Sequence, residues 1–264
     1  MTMERRAVVT IAALDVRKRP DHRSELGSQL LCGELVRVLA RVDGDRWWRV
    51  AGQDGYRGWA RSWGLAELPD AGAWERSARA RLVVPCAFVR TRPKGGEVLG
   101  PVYLHSRLAP LARQGTWRQV GLPDGRRGWL RERDLAIGRG RRRPLADLVS
   151  DLMGIPYMWG GRTPMGFDCS GFVQQVMAGR NVDLPRDAHD QWRAVPRIRA
   201  GRAGRGDLVF FGPRAGRVGH VGILLGRGVY AHARGVVRLN SLDPSNVLYD
   251  SELAESIRGF GRPE

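Results

Sequence analysis

Trp159-Gly160-Gly161-Arg162-Thr163-Pro164-Met165-Gly166-Phe167-Asp168-Cys169-Ser170-Gly171-Phe172 is a glycine- and proline-rich run that turns sharply into a helix, with a cysteine in the first helical turn. The residues that follow, Val173-Gln174-Gln175-Val176-Met177, continue an amphipathic helical pattern. Unpaired backbone N–H groups and the helix dipole at this terminus favour thiolate over thiol at Cys169. The same N–H groups can cradle an oxyanion once a carbonyl is attacked. A buried structural cysteine is the plain alternative. The glycines on both sides of Cys169 argue instead for the close approach of another molecule.

The partners of a nucleophilic thiol meet it in space, so they are sought downstream. Gly206-Asp207-Leu208-Val209-Phe210-Phe211-Gly212 predicts a turn and a buried strand. Val218-Gly219-His220-Val221-Gly222-Ile223-Leu224-Leu225 predicts a second strand, with His220 alone among apolar neighbours. Val229-Tyr230-Ala231-His232-Ala233 follows the tight turn Gly226-Arg227-Gly228, so it predicts an antiparallel hairpin partner that brings His232 near His220. Either histidine alone fits a satisfied core or surface group. Together with Cys169 they suit a Cys–His–His relay in which His220 takes the thiol proton and His232 orients its ring.

With these residues in place, the chain from 154 to 240 resembles the NlpC/p60 cell-wall cysteine peptidases. The matching blocks are Gly154-Ile155-Pro156-Tyr157-Met158-Trp159-Gly160-Gly161, Phe167-Asp168-Cys169-Ser170-Gly171-Phe172, Leu184-Pro185-Arg186-Asp187-Ala188 with Gln191, Gly206-Asp207-Leu208, and Gly219-His220-Val221-Gly222-Ile223 with His232. The resemblance implies a papain-like α+β domain that cuts the peptide stems of peptidoglycan. It implies Cys169 as nucleophile, His220 as base, His232 as third member, and Tyr157 beside the nucleophile at the oxyanion site. Ala233-Arg234 departs from the small residue and glycine that often follow the third histidine.

The region before residue 140 repeats internally. Trp48-Arg49-Val50 followed by Asp54-Gly55-Tyr56-Arg57-Gly58-Trp59-Ala60 recurs as Trp117-Arg118-Gln119-Val120 followed by Asp124-Gly125-Arg126-Arg127-Gly128-Trp129-Leu130. Each copy opens on a strand ending Val-Arg-x-Arg-Pro, at Asp15–Pro20 and Phe88–Pro93. Short strands, glycine turns and tryptophans predict a small antiparallel barrel per copy, and the pattern resembles bacterial SH3 domains. A basic linker, Gly138-Arg139-Gly140-Arg141-Arg142-Arg143-Pro144, follows them. Two barrels and a peptidase in this order resemble the γ-D-glutamyl-L-diamino-acid endopeptidases, which act on peptides with a free N-terminal L-alanine. That resemblance implies that Tyr56, in Gly55-Tyr56-Arg57-Gly58-Trp59, closes the substrate pocket and that Glu34 contacts the substrate amine; a core or surface aromatic and a plain surface carboxylate are the alternatives.

Net charge is +17, carried almost wholly by arginine, the lysines being Lys18 and Lys94. Such a surface attracts polyanions such as cell-wall polymers, or is simply solvated. A nucleic-acid role rests on charge alone and is not expected. Cys32, Cys86 and Cys169 show neither disulfide nor metal-ligand spacing. No stretch approaches the length of a membrane span. Ala7–Leu14 is short and followed by Asp15 and Arg17, so it suits a first β-strand better than a signal peptide. A cytoplasmic protein is expected; the alternative is an exported one whose signal has been removed.

The expectation is therefore an α+β chain: barrel 1 over residues 1–70, barrel 2 over 71–140, and a papain-like peptidase over 141–264. Its reaction is hydrolysis of the γ-D-Glu–diamino acid bond in stem peptides, with no metal or organic cofactor. Asp168 and Ser170 bind the N-terminal part of the substrate, and Asp187 braces the pocket wall. An exported hydrolase using its barrels to hold glycan-attached stems, a catalytically dead binding protein, and a thiol acyltransferase are the competing readings.

Overall fold

The computed structural model describes residues 5–138, 143–213 and 215–264. It is strand-rich with few helices, and the chain divides into two compact units, 1–141 and 142–264. Residues 139–142 of the expected basic linker lie outside the described residues. Among the described residues no helix is long and apolar enough to cross a membrane.

Two seven-stranded sheets make up the first unit among its described residues. One has the order Leu26–Leu31, Ala13–Arg17, Arg57–Arg61, Trp47–Ala51, Leu35–Val42, Arg6–Val9, Leu65–Glu67. The other has the order Val98–Tyr103, Cys86–Arg90, Arg127–Arg131, Trp117–Gly121, Arg107–Gln114, Ala80–Leu82, Leu135–Ile137. Position by position the two orders are the same, so the sequence repeat is a repeat of topology. Each sheet has its own apolar core, around Val16, Trp48 and Val50 in one and Val89, Val120 and Leu130 in the other.

The repeated glycines have a steric reason. Gly58 pairs with Val50 and Gly128 with Val120, and a Cβ at either would run into Val16 or Val89 of the crossing strand. The preceding turns are also alike. The Gly52 amide donates to the Tyr56 carbonyl at 2.9 Å and the Leu122 amide to the Arg126 carbonyl at 2.8 Å. Asp54 and Asp124 accept from the amides of Tyr56 and Arg126, each at 3.0 Å. Gly55 and Gly125 take φ of 81° and 86°, a region open to glycine. The side chain displayed after the glycine differs. Tyr56 packs on the first core with Lys18 Nζ 5.1 Å from its ring centre, whereas Arg126 folds back on Asp124 at 2.7 Å.

Two details differ from the sequence expectation. Arg61 lies over the Trp47 ring and Arg131 over the Trp117 ring, so Trp117 corresponds to Trp47 rather than to Trp48; adjacent tryptophans hid the register. The single strand expected over Ala7–Leu14 is two strands, because Arg6–Val9 pairs with Leu35–Val42 while Ala13–Arg17 pairs with Leu26–Leu31.

The second unit packs the helix Cys169–Ala178 on an antiparallel sheet of order Arg197–Ile198, Ile257–Gly261, Leu208–Phe211, His220–Gly226, Val229–Arg234, Val236–Ser241. Every residue of that helix from Cys169 to Met177 is buried. The predicted hairpin is present, with Ile223 opposite Ala231 and Leu224 opposite Tyr230.

Gly58→Ala and Gly128→Ala should each lower the stability of their sheet by about 1–3 kcal/mol through overpacking. Urea unfolding followed by tryptophan fluorescence measures this; unchanged midpoints would show that the valines yield without cost.

Candidate active site

Asp168 opens the helix Cys169–Ala178 as its N-cap, its Oδ1 accepting from the Gly171 amide at 2.7 Å. The carboxylate does more than cap. Arg186, 2% exposed, grips it with both guanidinium ends, Nη1 to Oδ1 at 2.9 Å and Nη2 to Oδ2 at 2.6 Å. The Gly160 amide donates to Oδ2 at 2.9 Å and the Ser170 hydroxyl to Oδ1 at 3.3 Å. Arg186 reaches on to the Ser170 hydroxyl at 3.0 Å. Gln191, fully buried, donates to the carbonyls of Ser170 and Pro185. The nucleophile turn is thus tied by charge and hydrogen bonds to the segment 184–191.

Gly161 and Gly171 beside Cys169 serve packing within the loop. A Cβ at Gly161 would strike the Gly166 carbonyl, and one at Gly171 would strike the Gly161 carbonyl. Backbone meets backbone within the loop, a close approach that the sequence pattern cannot distinguish from room left for a ligand.

Cys169 Sγ donates to the Gly219 carbonyl at 3.8 Å, one residue before His220. On the sheet face beyond, His220 Nε2 lies 2.7 Å from His232 Nδ1, and His232 Nε2 lies 2.8 Å from Asn240 Oδ1. The chain of side chains crosses three adjacent antiparallel strands, which strand alternation allows because the three residues face the same way. Gly222 leaves room for it: a Cβ there would stand 2.9 Å from the Tyr230 ring and 3.3 Å from His232 Cβ.

Burial dominates the electrostatics. It pushes the Cys169 thiol up to about 12, with the Asp168 charge adding to the rise against smaller lowering effects of the Val221 amide and Arg186. It pushes His220 down to about 3, helped by His232, and His232 down to about 4, against the bond to Asn240. The resting site therefore holds a thiol and two neutral imidazoles at neutral pH. The thiolate expected from the helix terminus is outweighed by desolvation. Burial above all, with the Asp168 charge adding to it, also raises the pKa of Tyr157 and so keeps its hydroxyl protonated.

Of the residues singled out by sequence, the second unit brings together Cys169, His220, His232, Tyr157, Asp168 and Ser170. Asp187 precedes the helix Ala188–Ala194 as its N-cap residue, without a side-chain cap bond. Glu34 and Tyr56 belong to the first unit, where Glu34 Oε2 accepts from the Leu31 amide at 3.0 Å and closes its own turn. Sequence reasoning missed Arg186 and Asn240 as parts of the constellation. An arginine between Pro185 and a helix start was a usable signal; Asn240 had none beyond strand register, which places it opposite Tyr230.

Residues 154–257 match the NlpC/P60 family and residues 12–66 match the bacterial SH3 domain. A γ-D-glutamyl-L-lysine dipeptidyl-peptidase of Bacillus cereus is 27% identical over 240 residues, covering 84% of this chain and 72% of that protein. Dipeptidyl-peptidase 6 of Lysinibacillus sphaericus is 27% identical over 274 residues, 97% of this chain and 98% of that one. The crystal structure of an NlpC/P60 family protein from Bacillus cereus superposes with a TM-score of 0.84 at 23% identity, over 98% of this chain and 99% of that one, a likeness of fold. The chain thus carries an NlpC/P60 domain and a bacterial SH3 domain, and it is a cysteine peptidase.

Arg186→Ala should cost the second unit about 3–5 kcal/mol, because it leaves the Asp168 carboxylate buried and uncompensated. Chemical unfolding of the variant against the parent checks this; a loss under about 1 kcal/mol would mean that the loop relaxes to let water reach Asp168.

Proposed function

We propose that this cysteine peptidase hydrolyses the γ-D-Glu–diamino acid bond of peptidoglycan stem peptides that carry a free N-terminal L-alanine. The observation that carries the chemistry is the Cys169 thiol held against the strand of His220, whose ring is bonded at 2.7 Å to His232. Support for the bond cut comes from the two relatives named for γ-D-glutamyl or dipeptidyl cleavage, which align over most of this chain, first unit included.

In the proposed reaction His220 takes the proton of Cys169 as Sγ attacks the carbonyl carbon of the γ-glutamyl amide. The oxyanion is met by backbone N–H at the helix start and by the Tyr157 hydroxyl. The C–N bond then breaks, and the imidazolium returns its proton to the departing amine of the diamino acid. Water attacks the thioester, gives a proton to His220, and releases the γ-glutamyl carboxylate; Cys169 recovers its hydrogen. Starting from a neutral thiol and a neutral base, the base strength of His220 matters in the transition state rather than in a resting ion pair.

The first unit is assigned two SH3-like barrels, over residues 1–70 and 71–140, with the peptidase over 141–264. Tyr56 of the first barrel closes the pocket, and Arg126 at the matching turn position of the second does not. Asp168 and Ser170 line the N-terminal side of the substrate, and Asp187 braces its wall. Because Arg186 already balances Asp168, Glu34 is the carboxylate whose charge answers the substrate ammonium. A buried ammonium without such a partner is too costly to bind. A stem still joined to glycan has an amide there, so soluble turnover fragments are the substrate and the cytoplasm the site of action. The arginine-rich surface suits anionic cell-wall polymers.

Defined L-Ala-γ-D-Glu-diamino acid peptides, free or N-acetylated, followed by mass spectrometry, test this reading. Cys169→Ala should abolish cleavage in a folded protein, and His220→Ala should lower kcat roughly a hundredfold or more. Near-parental turnover by folded Cys169→Ala would sink the mechanism.

Acetylation of the substrate amine should reduce kcat/KM at least tenfold, since loss of a desolvated ammonium–carboxylate pair costs about 2–5 kcal/mol. Glu34→Gln should narrow the gap between free and acetylated peptides. Equal cleavage of acetylated peptides or of intact sacculi would replace this reading with that of an exported wall hydrolase.

A further inference from the structure

We infer that Asn240 is a positioning residue that sets the tautomers of both histidines, leaving Nδ1 of His220 as the nitrogen that takes the thiol proton. The inference rests on the proposed roles of Cys169 and His220 and adds a fourth member to their chain. It begins at a backbone carbonyl, which can only accept. Leu248 O accepts from Asn240 Nδ2 at 2.9 Å and from the Ser241 amide at 2.9 Å. Turning the Asn240 amide over would set its oxygen against the Leu248 carbonyl, acceptor against acceptor, so the orientation is fixed.

From there each proton follows from the last. Asn240 Oδ1 must accept, so His232 Nε2 carries the hydrogen of their 2.8 Å bond. Neutral His232 then offers a lone pair at Nδ1, and the 2.7 Å contact requires hydrogen on His220 Nε2. Neutral His220 is left with its lone pair on Nδ1. Burial keeps both rings neutral, so no second proton relaxes the chain. The anchor itself is held, since the loop that presents Leu248 is braced by the Leu248 amide to Asn246 Oδ1 at 2.9 Å and by the Asn246 amide to the Asp243 carbonyl at 3.0 Å. Without Asn240 the opposite tautomer of His232 becomes available, and it places hydrogen on His220 Nδ1, where a base cannot work. A wrong catalytic tautomer has cost about 10⁴ in kcat in a serine protease.

Nitrogen-15 NMR of the histidine rings in the unsubstituted protein, with resonances assigned by His220→Ala and His232→Ala, reads the tautomers without any substrate. Protonated Nε2 on both rings at neutral pH is expected; protonated Nδ1 on His220 overturns the inference. Asn240→Leu should yield mixed tautomers and a kcat lowered at least tenfold with KM changed less than threefold. Asn240→Asp, which still accepts from His232, should restore the Nε2–H tautomers and recover most of the lost kcat. A folded Asn240→Leu protein with parental tautomers and parental kcat also overturns it, and if that variant fails to fold, the spectra of the parent and of Asn240→Asp decide. Failure of the peptidase reading shows separately, as absent cleavage by a parent protein whose tautomers are as expected.

Discussion

The second unit is organised around one buried ion pair. Arg186 and Asp168 meet bidentately with almost no solvent contact, so each is tolerable only because the other is present. The pair fixes the N-cap of the helix Cys169–Ala178, orders the Gly160–Gly161 turn through the Gly160 amide, and draws in Ser170. The position of Cys169 follows from these constraints, since the residues on either side of it are both held by Arg186. A charge buried one residue from a nucleophile would otherwise oppose the formation of thiolate. The Arg186 charge acts against that opposition.

Opposite the ion pair stands an uncharged chain, His220 to His232 to Asn240, ending on a backbone carbonyl. A carboxylate in the third position would stabilise a resting imidazolium; here a second imidazole and an amide do not. Together with desolvation, this keeps thiol and imidazole neutral until a carbonyl is within reach. In the proposed reaction charge then develops only as the carbonyl is attacked, inside a buried site where preorganised dipoles act strongly. One network holds the sulfur, and in the proposed reaction the other prepares its base.

The first unit carries its own internal control. Two sheets share strand order, turn hydrogen bonds, the glycines that let strands cross, and an arginine stacked on a tryptophan. Those shared features answer to folding. The copies part at Tyr56 against Arg126, where Tyr56 packs on the first core and Arg126 folds back on Asp124, and the proposed function attaches its pocket role to that difference.

The turn that carries Cys169, the hairpin that brings His220 to His232, and the duplication of the first unit were legible in the chain alone. These are local or periodic features, in which turn residues, alternation and spacing carry the information directly. Tertiary structure alone decided the rest. Burial, which no local pattern reports, raises the pKa of Cys169, whereas the helix terminus taken alone favours thiolate. The close backbone packing at Gly161 and Gly171 is likewise a property of the folded loop. Arg186 and Asn240 lie 17 residues beyond Cys169 and 8 beyond His232, at positions whose meaning depends on which strand or helix comes to rest against them. Hydrogen bonds and ion pairs between distant segments are set by the assembled fold, and so are the charges they govern.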